Sequence, residues 1–381
     1  MSISAYLFKY IDINPKELLA KGALAKKISM DKLQPFCRDV PEYEIAKFSG
    51  GTRFRNGDTI MARITPCLEN GKTAMVNILE PGEVGFGSTE FIVFRAKEGY
   101  TDPNFVYYLV KSSFVRDPAI KSMVGSSGRQ RVQTDVVQNL IVPFPSLLAQ
   151  RKIASILKSL DDKIALNTAI NDNLEQQARA LYQRMFIDNP VSGGYMGTLS
   201  DIADITMGQS PNGSSYNEDG NGAVFFQGRA EFGFRFPSVR LYTTEPKRMA
   251  CANDTLMSVR APVGDLNVAY TDCCIGRGLA AIHSKSNQQS FVLYTMFSLH
   301  KQLDVFNGEG TVFGSINRTS LTELPIFIPL DREIVKFEAI VTPIDAAIRN
   351  NYEEICRLEK IRDALLPKLM SCELDVSAIE I

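Results

Sequence analysis

Histidine is scarce: His283 and His300 are the only two in 381 residues. That argues against a zinc hydrolase and against a His-based catalytic triad. The seven cysteines are an odd number, and none are in C-x-x-C spacing. Reduced thiols in a cytoplasmic protein are therefore expected, not a disulfide framework. No apolar run approaches the roughly 18 residues of a membrane span, and neither a membrane span nor a secretory leader is expected. Charge of one sign is lacking too. Lys and Arg number 42 against 43 Asp and Glu, a net charge of -1, so no global basic field announces nucleic acid. Catalytic motifs are missing. There is no Asn/Asp-Pro-Pro-Tyr/Phe stretch for amino methyl transfer, no P-loop, no nucleophile elbow and no H-E-x-x-H. The Gly-rich fragments 85–87 and 308–310 do not continue as G-x-G-x-x-G. The chain is expected to hold no catalytic residue, no metal and no cofactor. What is present is ordinary globular composition, 45% hydrophobic and 22% charged, enough to build cores and to exclude disorder as the main state.

The main signal is an internal repeat. Gly57-Asp58-Thr59-Ile60-Met61-Ala62-Arg63-Ile64-Thr65-Pro66 returns as Asn253-Asp254-Thr255-Leu256-Met257-Ser258-Val259-Arg260-Ala261-Pro262. Leu140-Ile141-Val142-Pro143-Phe144-Pro145 returns as Leu324-Pro325-Ile326-Phe327-Ile328-Pro329, and Leu160-Asp161-Asp162-Lys163-Ile164 as Ile344-Asp345-Ala346-Ala347-Ile348. A repeat this long means two tandem domain-plus-helix modules and not a solenoid. Each repeat opens strand-rich. Residues 59–64 and 255–259 read as short strands, as do 91–94 and 280–282. Helices are expected at 104–112 and 290–306. Polar loops at 125–133 and 308–318 follow, then a Pro-flanked strand.

Long helical patterns close both repeats. With Leu157 at position a, the a positions are Leu157, Ile164, Asn171, Ala178 and Met185. The d positions are Ile153, Leu160, Asn167, Leu174 and Leu181. The second repeat gives Val341, Ile348, Ile355, Arg362 and Leu369 at a, and Phe337, Ile344, Asn351, Leu358 and Leu365 at d. Sustained heptads in both repeats predict a coiled coil. Asn167 and Asn351 hold equivalent d positions, where a buried Asn fixes register at some cost in stability. Pro190 with Gly193-Gly194 should end the first helix, and Pro367 should kink the second. The acid pairs Asp161-Asp162 and Glu353-Glu354 are expected on a solvated face. Two matched helices separated by a globular domain should pair antiparallel within the chain, with a homodimeric coil as the competitor. The expected organisation is α+β, with two strand-rich α/β recognition domains at 1–147 and 191–332. Helices at 148–190 and 333–373 would form a pseudo-two-fold antiparallel coil, with a tail at 374–381. Ile156, Ile170, Ile340 and Ile361 share position g, so they either pack on the domains or offer a partner surface.

Two similar domains a fixed distance apart make a caliper, and DNA is its natural object. Residues 1–148 carry about +4, residues 191–332 about -2 and the C-terminal segment about -4, so recognition must rest on local clusters. In the second domain eight of eleven cations are Arg, the residue suited to bidentate guanine and phosphate contacts. Candidate DNA readers in the first domain are Arg63, Thr65, Asn70, Lys72, Arg129, Gln130 and Arg131. Ser88 and Thr89 also face the loops but read better as a strand start. Candidates in the second are Gln209, Ser210, Gln227, Arg229, Arg235, Arg260, Arg277, Ser315, Asn317 and Arg318. For any one of them, capping a turn or solvating the surface is the competing role.

These stretches resemble the specificity (S) subunits of type I restriction–modification systems over nearly the whole chain. The similar segments run from Gly57 to Lys72, through Gly87-Ser88-Thr89-Glu90-Phe91, and from Gly125 to Pro145 with Gln150-Arg151-Lys152-Ile153-Ala154. In the second half they are Gly208-Gln209-Ser210-Pro211, Phe226-Gln227-Gly228-Arg229, Ser258 to Gly264, Ile275-Gly276-Arg277-Gly278 and Leu365-Leu366-Pro367-Lys368-Leu369-Met370-Ser371. The resemblance implies that each domain reads one half of a bipartite, asymmetric site on double-stranded DNA while the coil sets the spacer. It also implies two docked methyltransferase subunits that bind S-adenosylmethionine, with restriction (translocase/nuclease) subunits as further partners. An architectural or tethering DNA-binding protein, or the specificity arm of another restriction–modification type, are the alternatives. The neutral-to-acidic second domain departs from expectation and leaves its reading face undefined.

Overall fold

The computed structural model describes residues 3–189, 193–308 and 314–379. Pro190 and the centre of the 308–318 loop, including Gly310, lie outside the described residues. Four helices matter here: α1 (Pro103–Lys111), α2 (Leu147–Tyr182), α3 (Gln289–Ser298) and α4 (Asp331–Met370). The chain divides into two compact units, residues 1–168 with 352–381 and residues 169–351. Each unit is one strand-rich domain together with part of α2 and part of α4.

The first unit contains β1 (Ile3–Tyr6), β2 (Ile11–Ile13), β3 (Leu24–Ile28), β4 (Glu44–Lys47), β5 (Thr52–Phe54), β6 (Thr59–Ala62), β7 (Thr73–Met75), β8 (Gly85–Gly87), β9 (Phe91–Ala96) and β10 (Ile141–Phe144). They form sheets in the orders β2-β9-β6-β7 and β4-β3-β8-β5, plus the pair β1-β10. β6 is buried along its whole length, as a central strand covered on both faces must be. The second unit contains β11 (Tyr195–Thr198), β12 (Ala203–Met207), β13 (Tyr216–Asn217), β14 (Ala223–Phe226), β15 (Leu241–Thr243), β16 (Met249–Ala250), β17 (Thr255–Val259), β18 (Val263–Val268), β19 (Cys273–Ile275), β20 (Leu279–Ser284) and β21 (Pro325–Ile328). Its sheets run β12-β20-β17-β18 and β13-β15-β14-β19-β16, with the pair β11-β21. Apart from the added β13, the two topologies coincide. A parallel strand pairing recurs as β3 with β8 and β14 with β19. Thr65-Pro66 and Ala261-Pro262, matched in the repeat, are both cis.

α1 starts where Asp102 accepts hydrogen bonds from the amides of Asn104 and Phe105, satisfying donors that the first turn leaves open. Phe105 through Val110 are all buried, because the helix is enclosed on every side within the first unit's core. The corresponding expectation in the second repeat was a single helix over 290–306. The structure breaks it into α3 and the short helix His300–Asp304.

Within each unit α2 and α4 pack antiparallel. In the first, Arg362 donates to Asp161 at 2.9 Å and Asn167 to Glu354 at 2.8 Å. In the second, Asn171 donates to the Ile348 carbonyl at 3.2 Å, Asn351 donates to Asn171 at 2.9 Å, and Tyr182 stacks edge-on against Phe337. The buried line on α2 is Ile153, Leu157, Asp161, Asn167, Asn171, Glu175, Ala178 and Tyr182. Leu160, Ile164, Leu174, Leu181 and Met185, expected in the seam, are only partly buried. The line follows the 3.6-residue period of a straight helix in place of the 3.5 of a strict heptad. That drift corrects one expectation. Asp161 faces the interior, and both Tyr108 and Arg362 donate to its carboxylate, while Asp162 stays outside with Arg38 and Lys158. α4 continues to Met370 with Pro367 inside its span.

Candidate nucleic-acid interface

In the second unit the polar candidates come from the ends of neighbouring strands. β12 runs into Gly208-Gln209-Ser210, β14 into Gln227-Gly228, β19 into Gly276-Arg277-Gly278 and β17 into Arg260. Backbone bonds tie these loops together. The Gln209 amide donates to Ile275, that of Gly276 to Phe226 and that of Val259 to Gly278, at 2.8–2.9 Å. The Arg277 amide donates to Ser210 Oγ at 3.3 Å. Close approach explains the glycines. A Cβ on Gly276 would sit 2.9 Å from both the Cα and the carbonyl oxygen of Gln227, and one on Gly208 would sit 2.2 Å from the Gly276 oxygen. Gln209, Gln227, Arg260 and Arg277 face solvent. Neither arginine has an ion-pair partner among the described residues. The face that net charge leaves undefined is therefore a local cationic cluster.

The first unit repeats this backbone frame. Arg63 donates its amide to Glu90 as Val259 does to Gly278, and Thr65 donates to Gln130 as Ala261 does to Gly314. Val132 donates to Arg63 as Ile316 does to Val259. The bridges Ile64–Arg131 and Arg260–Ser315 correspond as well. Thr89 thus occupies the place of Arg277, Ile64 that of Arg260, Arg131 that of Ser315 and Glu90 that of Gly278. The side chains differ completely. Arg131 grips Glu90 through Nε at 3.0 Å and Nη2 at 2.8 Å, and Arg63 Nε lies 4.0 Å from the same carboxylate. The Arg131 hydrogen bond holds the Glu90 carboxyl below the ordinary glutamate range. Arg129, at the tip of a loop closed by bonds between Val124 and Arg131, is exposed and has no ion pair among the described residues. Gln130 beside it is half-buried.

Other candidates have structural jobs. Arg235 is 4% exposed and binds Glu175, Asp345 and Tyr294. The structure removes it from the reading surface, because a guanidinium so enclosed cannot reach a base or phosphate. Asn317 caps the short helix Arg318–Thr322 by accepting from the Ser320 amide, leaving Arg318 exposed. Lys72 Nζ donates to the Met30 carbonyl at 2.8 Å, Thr65 Oγ1 to Glu69 at 2.9 Å, and Arg229 pairs with Asp265. Asn70 is exposed. Ser88 Oγ accepts from the Glu90 amide, so Ser88-Thr89 is the turn that precedes β9. Sequence reasoning missed Glu90 as part of the site. Its only signal was its place in the Gly87-Ser88-Thr89-Glu90-Phe91 segment, since its partner lies 41 residues away. Of the position-g isoleucines, Ile156 packs against the first unit's core, whereas Ile170, Ile340 and Ile361 are exposed.

Duplicated mixed domains, each presenting arginine-bearing polar loops from equivalent strand ends, define the class: a two-module binding protein. Residues 26–176 match the family model of the type I restriction modification DNA specificity domain. A putative type I restriction enzyme MjaX specificity subunit from Methanocaldococcus jannaschii is 28% identical over 92% of this chain and 85% of its own. The MjaIX specificity subunit of the same organism is 25% identical over 72% of this chain and 70% of its own. The fold is shared with a type I S subunit from M. genitalium, at 16% identity and a TM-score of 0.58 over 97% and 96% of the two chains. Residues 26–176 thus carry a type I restriction–modification DNA specificity domain, and the chain over most of its length is similar to the DNA sequence-specificity subunits of such systems. Among the described residues no helix is long and apolar enough to cross a membrane.

Proposed function

We propose that each unit reads one half of a bipartite, asymmetric site on double-stranded DNA, and that the long helices set the unspecified spacer and dock two methyltransferase subunits. In this reading the chain is a non-catalytic cytoplasmic subunit. S-adenosylmethionine belongs to the methyltransferase partners, and restriction subunits join the same assembly. One observation carries the reading: two loop clusters on the same backbone frame bear different side chains. Arg63, Glu90 and Arg131 form an interlocked set in one, while Arg260 and Arg277 are exposed beside Gln209 and Gln227 in the other, with no ion pair among the described residues. Equivalent frames suit a common substrate, and different side chains suit different bases. The three exposed isoleucines on α2 and α4 support a docking role for the helices.

The test is a methylome map in a host without adenine methylation of its own, carrying the methyltransferase encoded beside this chain, with and without the chain. A bipartite adenine-methylation motif that appears only with the chain is the expected result. No motif, with an active methyltransferase and a soluble chain, overturns the reading in favour of a DNA tether.

A further inference from the structure

Away from the reading loops, the repeat has exchanged one chemistry for another. In the first unit the buried carboxylate of Asp58 receives Arg95 through Nε at 2.7 Å and Nη2 at 2.6 Å, and accepts the Arg55 amide at 2.7 Å. In the second unit the matching Asp254 is also buried. It accepts the Cys251 amide at 2.8 Å and lies 2.5 Å from Nδ1 of His283. Strand register makes the correspondence firm, because Thr59 pairs with Phe94 as Thr255 pairs with Ile282. His283 therefore stands where Arg95 stands, and Cys251 where Arg55 stands. Among the described residues the ion-pair partner of Asp254 is His283, not a permanent cation like the Arg95 that balances Asp58. Both replacements are metal-ligand types, and Asp272 adds a second carboxylate next to them by accepting the Ala252 amide.

The donor atoms of Cys251, Asp254 and His283 all lie within 4.8 Å of one another. Ligands of one zinc-sized ion, bonded at about 2.0–2.3 Å, sit about 3–4 Å apart, so a rotation of the exposed Cys251 thiol, with the His283–Asp254 hydrogen bond opening to admit the ion, closes the set. Thiolate, imidazole and carboxylate together favour a zinc-like divalent ion over magnesium or calcium. We infer that Cys251, Asp254 and His283 bind a divalent transition-metal ion that replaces the Arg95 charge of the first unit, with solvent completing the coordination. Binding displaces the thiol proton of Cys251. The site lies at the start of β17, while the reading loop follows the end of that strand, so its role is structural.

The experiment uses the purified full chain, stripped with a chelator and titrated with Co²⁺ and then Zn²⁺. A stoichiometric near-ultraviolet thiolate-to-cobalt absorption band that Zn²⁺ abolishes is expected. Cys251→Ala should lose the band and His283→Gln should weaken it, while Cys37→Ala, an exposed thiol in the other unit, should keep it. Absence of the band in the wild type, or its survival in Cys251→Ala, overturns the inference and leaves Asp254–His283 as a hydrogen-bonded counterpart of Asp58–Arg95. Because Cys251 is exposed, its variant remains informative even if His283→Gln fails to fold.

Discussion

Glu90 ties down the guanidiniums of Arg63 and Arg131, whereas Arg260 and Arg277 of the second unit have no ion pair among the described residues. Arg131 and Arg63 surround one carboxylate, so Glu90→Gln should release two cations onto the first unit's loop face. Non-specific DNA binding should strengthen, and its salt dependence should steepen by up to about 0.9 per new phosphate contact. Preference at one half-site should loosen while the other is unchanged. Competition binding at several salt concentrations checks both effects, and an unchanged salt slope would leave the arginines without a role in DNA contact. The Glu90 pKa is lowered in the fold, so the pair adds stability above the unfolded glutamate value of about 4.3 and loses it only as pH falls through the lower folded value. First half-site preference should therefore be flat between pH about 8 and about 5.5. Arg235 behaves in the opposite way to a reader. Its charge is enclosed with Glu175 and Asp345, so Arg235→Ala should cost about 3–5 kcal/mol in denaturant unfolding. An Arg235→Ala protein of normal stability but altered base preference would contradict its placement. Little of this was legible in the sequence. A loop arginine and a buried arginine look alike until the acids that face them are known.

Elements were far more legible than their faces. The recurring Asp-Thr-x-Met segment located β6 and β17, and the Pro-flanked segments located β10 and β21, because short apolar runs bounded by turn residues are a local signal. The parallel pairing of β3 with β8 is non-local and left no trace in periodicity. The heptad reading found both long helices but misplaced part of the seam, since 3.5 and 3.6 residues per turn diverge over five heptads. Asp161 was expected on a solvated face, yet Arg362 makes its burial tolerable, as Arg235 does for Glu175. The polar middle of the seam yields a test. Asn171 and Asn351 bond to each other, so the double change Asn171→Leu with Asn351→Leu should raise the thermal midpoint while relaxing register. A lowered midpoint would mean that the pair contributes packing which leucine cannot reproduce. On the outer face, Ile170→Asp should weaken co-purification with the methyltransferase while the chain keeps its circular dichroism. Unchanged co-purification would assign that isoleucine no docking role.

For the whole molecule, the family was legible because order, duplication and helix spacing are properties of the entire sequence. The assignment of readers to half-sites is not. Under the proposed function it rests on the paired backbone frames, and it predicts additivity. Arg277→Ala should cost about 1–3 kcal/mol at one half-site through a lost base contact, and Glu90→Gln should act at the other. If the two units read independently, the double variant should show the sum of the single effects, within about 0.5 kcal/mol, with each half-site's base preferences shifting only for its own variant. Binding to a panel of sites with single substitutions in each half measures this directly. Additivity depends only on whether the contacts of the two variants share partners. A coupling larger than that margin, or a shift at both half-sites from Arg277→Ala alone, would mean that the clusters act as a single reader.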